Sequence, residues 1–373
     1  MIAQAVKMED QIHQLAVGDD LEELTWGEPV QRVQALAEKG LQELPSVYIR
    51  ALSDRPGLDD SLLPDETVPV IDFSGLQEDD RKQETMSDIA KACEEWGFFQ
   101  LINHGIPLPL IAKTRRVAKQ FFDLPIEEKQ IYANKPWSLV GYGSRIGVTK
   151  GAVLDWGDYF LHYLWPIDKR DVDKEWPKKP ASYIETLDEY SREVHKLCSR
   201  LMEVFSENLG LRTSYVGEVF GWPDMNLVLR INYYPPCPRP DLTLGVAAHS
   251  DGGGLTLLLQ DDIGGLQVHK GDRWLSVDPI PNAIVINVAD QLQILSNGKY
   301  KSVEHRVVVN NSFVRMSLAT FCNPDIEAII SPALELIDDN HPSSYRKALY
   351  GEFLQSFFRD GLKGKRYIES FKA

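Results

Sequence analysis

Between Leu227 and Pro324 the chain is a succession of short apolar runs, "LVLRINYYP", "LTLLLQ", "GLQVHKGDRWLSVDP", "AIVINVADQLQILS", "KSVEHRVVVNN" and "VRMSLATFC", separated by turn-forming residues. Runs of this length, rich in β-branched and aromatic residues, form strands, and "HKGDR" has the composition of a hairpin turn. Strands that follow one another without intervening helices can bury their apolar faces only against each other. The segment is therefore expected to fold as a barrel or a double-sheet jelly roll.

The flanks read differently. Residues 1–66 form a polar, acidic lead-in in which Val30, Val33, Leu36 and Leu41 carry helical spacing. "VPVIDFSG" predicts a strand and turn, "MSDIAKACEEWG" a helix and "FFQLINHGI" a second strand. Two longer helices follow, in "PLIAKTRRVAKQFFDLP" and in "YIETLDEYSREVHKLCSRLMEVFSENLGL", where Ile184, Leu187, Val194, Leu197, Leu201, Phe205 and Leu209 recur at helical spacing. "SSYRKALYGEFLQSFFRDGL" predicts a closing helix. The expected organisation is a helical lead-in over 1–66, a mixed α/β region over 67–215, a β core over 216–330 and a C-terminal helix covering it over 331–373.

A formal net charge of -15 argues against nucleic acid or an anionic membrane as partner, because both call for a basic face. The expected partner is a small molecule, and the expected state is a monomer. The four cysteines, Cys93, Cys198, Cys237 and Cys322, show no paired spacing, and the first residues have neither the basic end nor the apolar stretch of a secretory signal. These features predict a cytoplasmic protein.

In "GVAAHSDGGGLTLLLQ" His249 and Asp251 stand two positions apart, before three glycines. Residues two apart on a strand share a face, so one strand end offers a nitrogen and an oxygen ligand to the interior. His305 in "KSVEHRVVV" is the candidate third ligand, with His104, His162, His195, His269 and His341 as alternatives. Two histidines and one carboxylate on one face of an octahedron leave three positions open, the pattern of iron(II) oxygenases. A structural zinc site would be closed by four ligands, usually including thiolates, and no cysteine lies nearby in sequence. A zinc hydrolase would need a positioned base. Gly252, Gly253 and Gly254 are expected to let backbone and co-substrate approach the metal.

H-x-D alone is a common chance pattern. Weight comes from "RMS", where Arg315 and Ser317 share a strand face, so that a guanidinium and a hydroxyl can together take a carboxylate. A buried arginine without an anion is costly, which points to a bound acid.

His249, Asp251, His305, Arg315 and Ser317, in this order, resemble the iron(II)- and 2-oxoglutarate-dependent dioxygenases. "VPVIDFS", "WGFFQLINHGI", "FFDLPIEEK", "GYGSR", "INYYPPCPRPDL", "HSDGGGLTLLLQD", "GLQV", "VINVADQLQILSNGKYKSVEHRVVVN" and "RMSLATFCNP" extend the resemblance, over residues 65–365, to the plant-type subfamily of anthocyanidin synthase, flavonol synthase, flavanone hydroxylase and jasmonate hydroxylases. The resemblance implies a mixed α/β, mainly β fold with a double-stranded β-helix (jelly-roll) core flanked by helices. It implies iron(II) on His249, Asp251 and His305, 2-oxoglutarate and dioxygen as co-substrates, and ascorbate as reductant. Arg315 and Ser317 would take the distal carboxylate of 2-oxoglutarate, with Asn232 and Tyr234 also on the co-substrate. A relative that had kept the fold as a binding module would be expected to lack a ligand or the arginine, and neither is missing.

The resemblance also implies substrate contacts at Phe321, Tyr142, Asn134 and Arg230, and at Phe357 on the last helix. Two positions depart from the anthocyanidin synthase pattern, with Arg230 where lysine is expected and Asn323 where glutamate is expected. "GYGSRIGVTKGAVLDWGDYFLHYLWP" is closer to jasmonate hydroxylases, which use arginines on the last helix to hold a substrate carboxylate. Here Arg359 is the only arginine of "LYGEFLQSFFRDGL", beside Phe357 and Phe358. That lining favours a neutral aromatic substrate, such as a flavanone, with a jasmonate-type acid as the alternative.

Overall fold

The computed structural model describes residues 31–57, 66–135, 138–144, 152–360, 364 and 366–373, and of residues 357–360 and 366 the backbone alone. Among the described residues the larger sheet has eight strands, in the order β1 (Val70–Asp72), β2 (Phe98–Ile102), β10 (Ile284–Val288), β7 (Leu255–Gln260), β12 (Arg315–Asn323), β5 (Asn226–Tyr234), β4 (Asp158–Trp165) and β3 (Gly141–Gly143). A smaller sheet of four strands has the order β6 (Val246–His249), β11 (His305–Val307), β8 (Leu266–Lys270) and β9 (Arg273–Ser276). This is the expected jelly roll. The β8–β9 hairpin turns at the glycine of "HKGDR", where Gly271 takes a φ of 63°, a conformation other residues adopt only with strain.

The two faces of the larger sheet are set by alternation. Leu227, Leu229, Ile231 and Tyr233 of β5, Met316, Leu318 and Cys322 of β12, and Leu255, Leu257 and Leu259 of β7 join one core with the helices. That core receives α2 (Lys82–Glu95), α3 (Leu108–Phe122) and α4 (Tyr183–Asn208). Helix α4 buries Leu187, Val194, Leu197, Leu201 and Phe205, the stripe its sequence predicts. The alternate residues of the same strands face the barrel interior.

In the described part of the lead-in the helix stops before Leu41, the last residue of the expected spacing. Val30 lies outside the described residues, and among those of the lead-in two single 3-10 turns, at Ser46–Tyr48 and Leu52–Asp54, follow the only α-helix, Val33–Ala37, α1. Its start is fixed by Asp158, whose two carboxylate oxygens accept the Val33 and Gln34 amides at 2.8 Å each. Such a carboxylate satisfies the unpaired N–H groups of a helix start. Val33, Leu36, Leu44 and Tyr48 then pack with Trp156, Tyr234, Val246, Val307 and Val309 in a second core, so the lead-in lies against the barrel strands.

The expectation of uninterrupted strands needs one correction. "AIVINVADQLQILS" is strand β10 followed by helix α5 (Asp290–Leu295), all six of whose residues are buried. With only six residues, three of them polar and all buried, it shows no 3.6-residue stripe, so its sequence does not separate it from a strand. Strand β4 also adds a strand that the pattern of short runs did not include.

Candidate metal centre

His249 ends β6 and His305 begins β11, directly opposite each other in the antiparallel register. Their ring centroids are 4.2 Å apart. Asp251 follows in the turn after β6, and one donor atom from each of the three residues lies within 4.8 Å of the others. The alternatives are placed elsewhere. His104 and His195, for example, each bond a backbone carbonyl, and His162 meets the Tyr183 hydroxyl. Among the described residues this trio is the only His/Cys/Asp/Glu cluster with metal-ligand spacing.

Each ligand is oriented by a partner. His249 Nδ1 contacts the Ala247 carbonyl at 2.8 Å, and His305 Nδ1 the Val303 carbonyl at 3.2 Å. A carbonyl can only accept, so both Nδ1 atoms carry the proton and both Nε2 lone pairs are free for a metal. Asp251 Oδ2 accepts from Thr256 Oγ1 and Asn287 Nδ2, both at 2.6 Å. That leaves Oδ1 facing the imidazoles, 3.4 Å from His249 Nε2 and 3.6 Å from His305 Nε2. These separations exceed an ordinary hydrogen bond and suit donors gathered around one cation. Asp290 and Gln291, opening α5, donate backbone N–H groups to the carbonyls of Asp251 and Gly253, which fixes the ligand-bearing turn.

Protonation follows the same geometry. Burial opposes charge on Asp251, but His305, His249 and Thr256 outweigh it and hold the carboxyl well below the usual carboxylate range. Burial, then the neighbouring His249, presses His305 down to about 4. His249 is also opposed by burial, yet Asp251 raises it above its ordinary value. One carboxylate and at least one neutral imidazole are therefore ready for a metal near neutral pH.

On the larger sheet Arg315 pairs with Tyr234, and Ser317 with Asn232 and Gln260. All face inward by alternation. Arg315 is 1% exposed. Its Nη2 donates to Gln260 Oε1 at 2.7 Å, Ser317 Oγ lies 3.5 Å from Nη1, the Tyr234 ring centroid is 5.3 Å away, and Nε has no partner. Burial lowers its pKa, with Tyr234 and Asp261 opposing. No carboxylate forms an ion pair with it among the described residues, so a buried cation sits in the barrel with capacity to take an anion. The donor set of the trio and this guanidinium fit an iron(II) ion and a dicarboxylate respectively.

The remaining predicted positions divide. Phe321 is half-buried and inward, opposite Thr256 and Val228. Arg230 is inward, opposite Ala319 and Leu161, with its guanidinium 4.4 Å above the Tyr159 ring. Tyr142 is not brought to this interior. It is wholly buried in the helix-side core near Phe121 and Phe122, and its hydroxyl donates to Asp158 at 3.4 Å. The strand carrying it ends the larger sheet, and its ring falls on the helix-facing side. Asn134 closes a turn instead, donating to the Ser138 carbonyl at 3.0 Å. The side chains of Phe357 and Arg359 lie outside the described residues.

Two of the three glycines make room for neighbouring side chains. A Cβ on Gly253 would lie 2.0 Å from Asn323 Oδ1, and one on Gly254 would lie 2.0 Å from the Phe220 ring. Sequence reading also passed over Thr256, Gln260 and Asn287, although each is an isolated polar residue on the inward face of an apolar strand.

Among the described residues no helix is long and apolar enough to cross a membrane. Residues 225–324 match the 2OG-Fe(II) oxygenase superfamily, and residues 68–179 match the non-haem dioxygenase in morphine synthesis N-terminal family. Jasmonate-induced oxygenase 1 of Arabidopsis thaliana is 45% identical over 353 residues, 92% of this chain and 87% of that protein. Flavonol synthase 1 of Crocosmia x crocosmiiflora is 40% identical over 326 residues, 87% of this chain and 96% of that protein. The crystal structure of JOX2 in complex with 2OG, Fe and JA is similar with a TM-score of 0.86 and 44% identity, over 93% of this chain and 99% of that one.

Proposed function

Because the chain belongs to the 2OG-Fe(II) oxygenase superfamily, we propose that it hydroxylates a small carboxylic acid of the jasmonate type, using iron(II), 2-oxoglutarate and dioxygen. In this reading His249, Asp251 and His305 hold the iron, and Arg315 and Ser317 receive the distal carboxylate of 2-oxoglutarate beside Asn232 and Tyr234. The bound metal supplies the oxidation, in which dioxygen and 2-oxoglutarate become carbon dioxide, succinate and the oxygen atom placed in the substrate.

One observation carries the choice of an acid. Arg230 faces the barrel interior two residues along β5 from Asn232, and its Nε is buried without a partner. Among the described residues no carboxylate pairs with it; Asp155, which acts on it through space, is already engaged by Arg50 and the Ala247 amide. An inward guanidinium stacked on an aromatic ring and lacking an anion is a seat for a substrate carboxylate. The lining of the last helix pointed to a neutral aromatic substrate; Arg230, already expected at the substrate from the resemblance, supplies on β5 the cation that the last helix was judged to lack. The similarity to jasmonate-induced oxygenases and to a structure holding JA supports the same choice.

The chain's own side chains then set the outcome by position. A carboxylate fixed at Arg230 anchors one end of the substrate, and the carbon held nearest the metal is the one oxidised. Phe321, opposite Thr256 on the sheet, would bound the pocket on its apolar side.

The test is succinate formation with iron(II), ascorbate and 2-oxoglutarate in air, comparing jasmonic acid, its methyl ester and naringenin. The expected result is stimulation by the acid with a product heavier by one oxygen, and an Arg230→Gln variant whose KM for the acid rises at least tenfold. Stimulation by naringenin alone would overturn the acid reading in favour of a flavonoid substrate.

A further inference from the structure

We propose that Arg50 and Asp155 are positioning residues for the metal centre, holding the strand that carries His249 from its outer edge. Strand β6 has only four residues and lies at the edge of the smaller sheet; among the described residues β11 is the one strand it pairs with, with a register shift between His305 and Val307, and a single bridge joins His249 to Gly364 on the other side. The backbone groups on its other edge need partners from outside the sheet. Two contacts provide them: the Gly364 amide donates to the Ala248 carbonyl at 3.2 Å, and the Ala247 amide donates to Asp155 Oδ1 at 3.0 Å. Just before the strand, the Trp156 amide donates to the Leu244 carbonyl at 2.8 Å.

The Asp155 contact bears directly on a ligand. Ala247 is the residue whose carbonyl accepts from His249 Nδ1 at 2.8 Å. Its amide and carbonyl are thus both committed, one to a carboxylate and the other to the imidazole. Loss of the carboxylate frees the backbone that sets the ring's tilt. Asp155 is in turn paired with Arg50, which is 9% exposed. Arg50 is fixed through its own backbone, its amide donating to the Leu242 carbonyl at 3.0 Å and its carbonyl accepting from Arg55 Nε at 2.9 Å. Tyr48, two residues earlier, packs edge-on against Trp156 at 5.1 Å. A charge in the lead-in is therefore connected, through one carboxylate and one backbone residue, to a metal ligand. Partners that orient a ligating histidine typically change metal affinity by about 10–100-fold when removed.

The inference rests on His249, Asp251 and His305 being the ligands, so the experiment measures metal directly. Cobalt(II) is titrated into the metal-free full-length protein, and its visible absorption bands report both affinity and ligand geometry. The wild type is expected to bind one equivalent. Asp155→Ala is expected to bind at least tenfold more weakly with altered bands, Arg50→Gln several-fold more weakly, and Arg50→Lys to recover most of the loss. Leu44→Ala, which opens a hole in the same lead-in core, is expected to lower the melting temperature while leaving cobalt affinity unchanged. Should Asp155→Ala fail to fold, Arg50→Gln and Asp155→Leu, which has no acceptor for the Ala247 amide, decide. Wild-type affinity and bands in those folded variants would overturn the proposal while leaving the ligands in place, as would an equal loss in Leu44→Ala. Failure of the wild type to bind cobalt would remove the ligand assignment and the proposal with it.

Discussion

Replacing Arg315 by methionine separates what this residue does for the fold from what it does for the co-substrate. In the ligand-free protein the guanidinium is 1% exposed with no ion-pair partner among the described residues. Removing an unpaired buried charge relieves about 1–4 kcal/mol, by analogy with buried ion groups replaced by apolar ones. Against this, Gln260 Oε1 loses its 2.7 Å donor, at about 1–3 kcal/mol. The two largely offset each other, so without ligand the variant should lose no more than about 2 kcal/mol of stability. Binding behaves otherwise. Two charge-assisted hydrogen bonds to a carboxylate, at about 1.5–3 kcal/mol each, sum to about 3–6 kcal/mol. That is a loss of about a hundred- to ten-thousand-fold in 2-oxoglutarate affinity. Urea denaturation without ligand and calorimetric titration of 2-oxoglutarate with manganese(II) present read the two quantities. The reasoning fails if the variant loses more than about 3 kcal/mol of stability while its 2-oxoglutarate affinity falls less than tenfold.

Two further outcomes follow from the contacts described. Asn287→Leu deprives the buried Asp251 of a 2.6 Å donor, so metal affinity is expected to fall about 10–100-fold, and stable metal binding at wild-type strength would contradict the role given to Asn287. His162 is wholly buried, and burial lowers it to about 3. The unfolded chain therefore takes up a proton below about pH 6.5 that the folded chain refuses, and stability falls with acidification between about pH 6.5 and 3 by about 1.4 kcal/mol per unit from this group. His162→Gln is expected to flatten that slope in urea unfolding at pH 6, 5 and 4; an unchanged slope would count against it.

What could be read in the sequence was whatever depends on period. Alternation put Arg315 beside Ser317 and a 3.6-residue stripe marked α4, while the two-residue spacing brought His249 and Asp251 together although Asp251 lies in the turn after β6 and not on the strand. What could not be read depends on contacts between distant residues. Arg50 and Asp155 are 105 residues apart in sequence, and each alone is an ordinary charge. Tyr142 belongs to a short terminal strand whose facing is decided by packing against α3, which its own three residues do not encode. The inward polar residues Thr256 and Asn287 were visible in outline, as lone interruptions of apolar strands, but their target was not.

The histidine ligands sit on the smaller sheet, and Arg315 with Ser317 on the larger one. A dicarboxylate held by the metal at one end and by the guanidinium at the other, as proposed, would span the space between two sheets whose separation is set by a core that Phe98 and Val285 of one share with Leu266, Val268 and Leu275 of the other. Such a core resists spreading or closing by even one methylene. In that reading the fold would act as a caliper, grading oxo-diacids by chain length before any side chain inspects their chemistry.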